Sequence, residues 1–268
     1  DQVKETTAFW LDRFFKADES TTTNLDNFRR VDYYTFGDSC WKSTDIWPLP
    51  NTKMQRWYLE SSHQLSLLQP IDSTGSDDYQ VDANTTSGFN NRWFAQGNAA
   101  VLFPDRREDD KKLLVYDTPP LEEDTEITGH PVVHLFLKSS ATDGQFFVYL
   151  ETLDPDGRVR MLTDGQLRGL HRKVSNEAPP YNMFGPYHSL KEKDAEPMVP
   201  GEVTEIAFDL FPISVLLKKG QRIRIAIAGA DSDTFAPLKG FESPEITIER
   251  NKQYSSYIEL PVIPKAAS

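Results

Sequence analysis

The sequence predicts an all-β protein, a β-sandwich of the jelly-roll type preceded by a short helical segment. Three observations predict it. Short runs of β-forming residues recur from about residue 31 to the end, polar turn signals separate them, and helical periodicity is confined to the first 17 residues.

In that opening segment Trp10 and Phe14, and Leu11 and Phe15, stand four apart and line one side of a helix. Residues 1–28 are therefore expected to be a helical connector, and 29–268 the β domain. The pattern then changes. Val31 to Phe36, Met54 to Glu60, Leu65 to Gln69 and Leu113 to Asp117 are short β-rich runs. The two clearest strands are Pro131 to Ser139 and Gln145 to Leu153. Asp154-Pro155-Asp156-Gly157 makes a turn, and Arg158 to Leu162 returns as a hairpin partner. Val203 to Leu210, Arg222 to Ala228, Glu245 to Glu249 and Ser256 to Leu260 follow. In Arg222-Ile223-Arg224-Ile225-Ala226-Ile227 the three Ile point one way and the two Arg the other, so one face is read as core and the opposite face as polar. Residues 70–91 and the charge run 104–112 read as solvated loops. Residues 173–201, with five prolines, read as a long loop of the kind that is functional or covers a sheet edge.

Composition bounds the function. At 268 residues the chain can bury a sizeable core, and 38% hydrophobic and 12% aromatic content excludes a disordered tail. A net charge of −12 argues against nucleic acid and against anionic membrane surfaces as partners. No apolar run approaches the roughly 18 residues of a membrane span. The single cysteine, Cys40, fits a reducing compartment, so a cytoplasmic location is expected. The chain opens Asp1-Gln2-Val3-Lys4-Glu5, without an initiator Met or an apolar leader, and is read as processed or as part of something longer.

Chemistry is hard to find. Gly37-Asp38-Ser39-Cys40-Trp41 is the nearest approach to a G-x-S-x-G nucleophile elbow, but the second glycine is missing and no helix pattern follows. His130 and His134 are four apart on a strand, about 13 Å, too far for one metal ion. His134 reads as a half-buried packing residue, and His63, His171 and His188 have no orienting partner in the sequence. Asp77-Asp78, Glu122-Glu123-Asp124 and Asp231 with Asp233 read as solvated loop acids. Asp231-Ser232-Asp233 offers oxygen ligands for calcium without an EF-hand pattern. No cofactor is expected.

The segment Met161-Leu162-Thr163-Asp164-Gly165-Gln166-Leu167-Arg168-Gly169-Leu170-His171-Arg172 resembles a hallmark of the X-prolyl dipeptidyl-peptidase C-terminal domain. That domain is shared by X-Pro dipeptidyl-peptidases, cocaine esterase, α-amino-acid ester hydrolases and glutaryl acylase-like hydrolases, the CocE/NonD family. Further blocks carry the resemblance along nearly the whole chain. They are Asp12 to Lys16, Gly37, Trp41, Trp47-Pro48, Tyr58-Leu59, Pro120 to Gly129, Pro200-Gly201-Glu202 and Lys219 to Arg224. The chain departs from the family at Gln221, where His is frequent, and at Ala17, where Gly is.

The resemblance implies a galactose-binding-like jelly roll packed against an α/β-hydrolase catalytic domain of the same polypeptide. It implies a parent that hydrolyses an ester or an X-Pro amide through an acyl-enzyme, with the Ser, Asp and His of its triad all ahead of residues 1–17. No position here matches them, so this chain alone is expected to be inactive. Its expected part is to wall the active-site cleft and support interdomain and homo-oligomer contacts. The residues expected at such a face are Asp164, Arg168, His171 and Arg172, with Trp10 and Phe14. Alternation along the strand is expected to place Arg168 and Arg172 beside Asp164. Left uncovered, Trp10, Leu11, Phe14 and Phe15 are expected to drive self-association. The competing reading is a free-standing carbohydrate-binding module, in which some of the five Trp and ten Tyr form a sugar-stacking platform.

Overall fold

The computed structural model describes residues 7, 8, 11, 31–89, 91–93, 103–241 and 243–265. Thr7, Ala8 and Leu11 are helical. The rest of the expected connector, including Trp10 and Phe14, lies outside the described residues.

Fifteen strands are described, in the order β1 (Val31–Thr35), β2 (Cys40–Thr44), β3 (Lys53–Glu60), β4 (Gln64–Ser66), β5 (Ser76–Gln80), β6 (Leu114–Asp117), β7 (Thr125–Gly129), β8 (Val132–Ser139), β9 (Gln145–Leu153), β10 (Val159–Arg168), β11 (Thr204–Asp209), β12 (Ile213–Leu217), β13 (Arg222–Ala228), β14 (Glu245–Glu249) and β15 (Tyr257–Ile263). The all-β class predicted from the sequence is found. β9, β13 and Glu245–Glu249 have the expected bounds. β10 runs six residues past its expected end, because its pairing with β9 continues to Arg168 opposite Gln145.

β1 and β2 form a separate hairpin, and the other thirteen strands are hydrogen-bonded into one continuous sheet that folds over its own core. One wall runs β10-β9-β13-β6. The other is built from β3, β15, β8, β14 and β5, with β11 on β8 and β12 on β7. Val148 and Leu150 of β9 share a buried cluster with Val133, Leu135 and Leu137 of β8, strands that do not pair. They meet across the core rather than along a ladder, which is what makes the architecture a sandwich. Ile223, Ile225 and Ile227 point into this core as expected.

The opposite face of β13 is not simply polar. Ala226 and Ala228 lie in a second buried cluster with Phe147, Tyr149 and Met161, and Phe235 packs over it. Small residues leave room for aromatic neighbours there, so β13 is covered on both sides. The charge run is largely solvated, as expected, but two of its residues are not. Arg106 and Asp110 are 1% and 3% exposed, because the segment folds back with Asp110 N on Arg106 O and Arg106 N on Val159 O. β5 lies inside the stretch read as loop. Its Ser-Asp-Asp-Tyr-Gln sequence is polar because it borders the sheet and only Tyr79 is buried, Asp77 on the same face accepting from Tyr116 Oη. The loop 173–201 contributes Met198 to the core. His188 Nε2 sits 2.8 Å from Ala207 O, on the edge of β11 away from β8.

Candidate functional site

The hairpin β1–β2 is the element set apart from the main sheet, and its anchoring is specific. Phe36 N donates to Ser214 O (3.0 Å) and Leu216 N to Phe36 O (2.7 Å), which clips the hairpin to β12. Gly37 has φ +78°, and a Cβ there would lie 2.3 Å from Leu216 O, so glycine alone permits this approach. Beneath the clip, the hydroxyls of Thr35 and Thr128 each lie 2.8 Å from that of Ser214, all three buried. Lys42 Nζ reaches Glu126 at 2.8 Å, and Trp47 Nε1 donates to His130 Nε2 at 3.1 Å. Burial pulls the His130 imidazole down from its ordinary range, which suits the neutral acceptor that this bond requires.

With its backbone pinned, the hairpin presents aromatic rings outward. Tyr34 is edge-on to Phe36 (5.5 Å) and to Trp41 (5.6 Å), and Tyr33 is edge-on to Trp47 (5.7 Å). Phe36, Trp41 and Ile46 are each about 60% exposed. Between these rings and the sandwich runs an apolar groove of about 760 Å³, closed on the far side by Leu162, Phe103, Pro212 and Arg92. Isolated exposed hydrophobics need no explanation, but a contiguous apolar patch around a groove marks an interaction surface.

The Met161 to Arg172 segment borders this groove through Leu162 and holds it in shape. Asp164 is buried and its carboxyl is pushed up, first by burial, against the pull of Arg92. Arg92 Nε lies 2.8 Å from Asp164 Oδ1, Arg92 Nη2 donates to Thr163 Oγ1 (2.8 Å), and the guanidinium covers the Phe211 ring at 4.5 Å. Gly165 lets β10 press against the neighbouring chain, since a Cβ there would lie 2.7 Å from Asp209 O. Trp93 is wedged edge-on between Phe211 and Phe235.

The structure therefore separates residues that were expected to cluster. Arg168, four residues along the strand from Asp164 and about 13 Å away, pairs with Asp143 instead, Nη2 to Oδ2 at 2.7 Å. β10 ends at Arg168 and a 3-10 turn Gly169–His171 follows, so alternation does not carry on to Arg172. Arg172 Nε donates to Thr204 Oγ1 (2.8 Å) and its guanidinium also meets Glu196 O. His171 is half-buried at the end of that turn. The partner the sequence reading missed is Arg92, whose only signal was a basic residue among aromatics in a polar stretch.

Other candidates resolve in place. Ser39 has φ 56° at the tip of the hairpin and is followed by β2, not by the helix of a nucleophile elbow. His134 is half-buried, stacked on Tyr257 at 4.6 Å and bonded to Glu205. Asp231 is buried rather than solvated. It accepts from Tyr149 Oη (3.0 Å) and Ser87 N (3.0 Å). Among the described residues no three His, Cys, Asp or Glu side chains form a metal-binding group. Three of the four described tryptophans are engaged: Trp57 packs on the core, Trp93 between two Phe and Trp47 against His130. Among the described residues that leaves Trp41 as the exposed indole, beside the Tyr34 and Phe36 rings. No described helix is long and apolar enough to cross a membrane.

Comparisons with known proteins agree with one another. The model of the X-Pro dipeptidyl-peptidase C-terminal non-catalytic domain matches residues 16–259. A Mycobacterium bovis protein that carries the name of a serine esterase is 46% identical over 90% of this chain, and cocaine esterase of Rhodococcus is 25% identical over 97%. The chain spans 38% and 46% of those two relatives. Among solved structures, an aminopeptidase from a Thaumarchaeota archaeon superposes with a TM-score of 0.72 at 22% identity, over 95% of this chain and 43% of that one. An α-amino acid ester hydrolase gives 0.69 at 21%, over 88% and 41%. At those identities the structural likeness concerns the fold.

Proposed function

The chain belongs to the X-Pro dipeptidyl-peptidase C-terminal non-catalytic domain family, and on that premise we propose that it is the accessory domain of a serine hydrolase. In this reading the aromatic hairpin and its groove dock on an α/β-hydrolase catalytic domain of the same polypeptide and wall one side of its cleft. The observation that carries it is the clipped, outward-facing aromatic patch formed by Tyr34, Phe36 and Trp41. Val31, the first residue of β1, is among the residues lining the groove. The relatives support the same picture, since this chain accounts for well under half of each.

The parent reaction in this proposal is hydrolysis of an ester or an X-Pro amide through an acyl-enzyme formed on the catalytic domain's serine. The Met161 to Arg172 segment contributes indirectly. Asp164 fixes Arg92 at the groove rim, and Arg168, through Asp143, and Arg172 brace the turn that follows, to which His171 belongs. Trp10 and Phe14 would join the two domains.

The coding sequence immediately ahead of Asp1 tests this. A G-x-S-x-G followed by an Asp and a His, in that order, is the expected result. A start codon or signal peptide directly upstream would overturn the accessory role and bring forward a free-standing module.

A further inference from the structure

A row of charge crosses three adjacent strands beneath the 104–112 segment. Arg224 of β13 stands opposite Asp117 of β6 on one side and Glu151 of β9 on the other. Its guanidinium grips Asp117 twice, Nε to Oδ1 at 2.7 Å and Nη2 to Oδ2 at 2.9 Å, and reaches Asp110 Oδ2 at 2.9 Å. Glu151, 0% exposed, is left with Arg106, Nε to Oε1 at 2.7 Å. Arg106 also holds the carbonyl of Thr86 (3.3 Å) and lies over the Tyr149 ring at 4.8 Å.

Two oxygens in this cluster have no donor among the described residues: Oδ1 of Asp110 and Oε2 of Glu151. They belong to carboxyl groups that share one cation, Arg106 Nε lying 2.7 Å from Glu151 Oε1 and 3.6 Å from Asp110 Oδ1. Two ionised carboxylates facing one another away from water repel strongly, and each orphaned oxygen adds a desolvation cost. The charges also fail to balance. Facing one another are two guanidiniums, Arg106 and Arg224, and three carboxyl groups, Asp110, Asp117 and Glu151. The remaining ionisable neighbour, Tyr149, is held neutral by burial and donates its hydroxyl to Asp231.

We infer that the folded chain holds one proton between Asp110 and Glu151, which makes this cluster a pH-dependent clasp on the 104–112 segment. One proton gives the two carboxyl groups a donor to share and brings the cluster to two positive and two negative charges, with Arg106 Nη2, also unpartnered, left beside them. Burial first, and then the charge of Asp110, hold the Glu151 carboxyl well above its ordinary value near 4.5. Through Arg106 and Thr86 the clasp also tethers the 84–93 loop, whose Arg92 forms the groove rim.

The sign follows from linkage. The unfolded chain loses this proton near pH 4.5 while the folded chain keeps it. The stabilisation is complete below that pH and is eroded as pH rises towards the folded value, by up to tenfold in the folding constant per pH unit. Urea unfolding of the whole chain from pH 5 to 9, with infrared detection of protonated carboxyl, tests it. E151Q and D110N each remove one negative charge and need no proton. Each should match or exceed wild-type stability at pH 8, flatten the pH slope and lose one carboxyl band. The double variant, with two positive charges against one negative, should be less stable than either. Slopes and bands unchanged from wild type would overturn the inference, as would a loss of more than tenfold in folding constant at pH 8 in both single variants.

Discussion

Arg92 Nε and Asp164 Oδ1 lie 2.8 Å apart at the rim of the aromatic groove, joining the 84–93 loop to the middle of β10. The contact ties the segment that most resembles the family to the surface proposed to meet the catalytic domain. Arg92→Ala leaves a buried carboxyl without its cation and uncovers Phe211. It should cost roughly 1–3 kcal/mol in urea unfolding, with Arg92→Lys recovering only part because the planar guanidinium also covers the ring.

Arg168→Ala should behave differently, although it too removes an arginine from an aspartate. Asp143 keeps donors from Gly144 N (2.9 Å) and Leu170 N (3.0 Å), and Arg168 is 42% exposed. The loss should stay below about 1 kcal/mol. Thermal denaturation of the two variants side by side distinguishes the rim contact from the surface one.

Leu135 sits at the centre of the core between the two walls and is fully buried. Leu135→Ala should cost about 2–5 kcal/mol, and circular dichroism should show the transition shifted with the β signal retained below it.

Asp209 predicts a second pH effect. Burial raises its carboxyl, His130 and His188 partly offsetting this. A raised carboxylic acid stabilises most below its ordinary value near 3.8 and progressively less as pH climbs to the folded value. Asp209→Asn should therefore flatten the decline in stability that sets in as pH rises above about 3.8, measured by unfolding midpoints in buffered urea series.

Gly37→Ala should detach the hairpin without collapsing the sandwich, because the added methyl meets the backbone oxygen of Leu216 while the core lies elsewhere. The expected signature is a change in Trp41 and Trp47 fluorescence, with the main unfolding transition shifted far less than in Leu135→Ala.

The ladder strands were legible because alternation reports burial directly. Ile223, Ile225 and Ile227 needed nothing else, and Gln145 to Leu153 is apolar enough to stand out without a partner. What the sequence hid depends on distant partners. Asp-Asp-Tyr-Gln reads as loop until Glu245–Glu249 is set beside it. Arg106 and Asp110 read as solvent-facing until Glu151 and Arg224 are brought 45 and 114 residues to meet them. The site was half legible. The Met161 to Arg172 motif pointed to the right region, but a strand cannot fold a side chain back onto one four residues away, so Asp164 had to find Arg92. The aromatic face was invisible because Tyr33, Tyr34, Phe36 and Trp41 look like ordinary strand residues, and only the hairpin's separation from the main sheet exposes them.

Hydrogen exchange tests the docking face most directly, with this chain compared alone and joined to the proposed catalytic domain. The account predicts that amides of residues 31–47 exchange at least about tenfold more slowly in the joined protein, as expected for a surface covered by a domain, while β8 and β9 are unchanged. Equal exchange at 31–47 in both forms would contradict it.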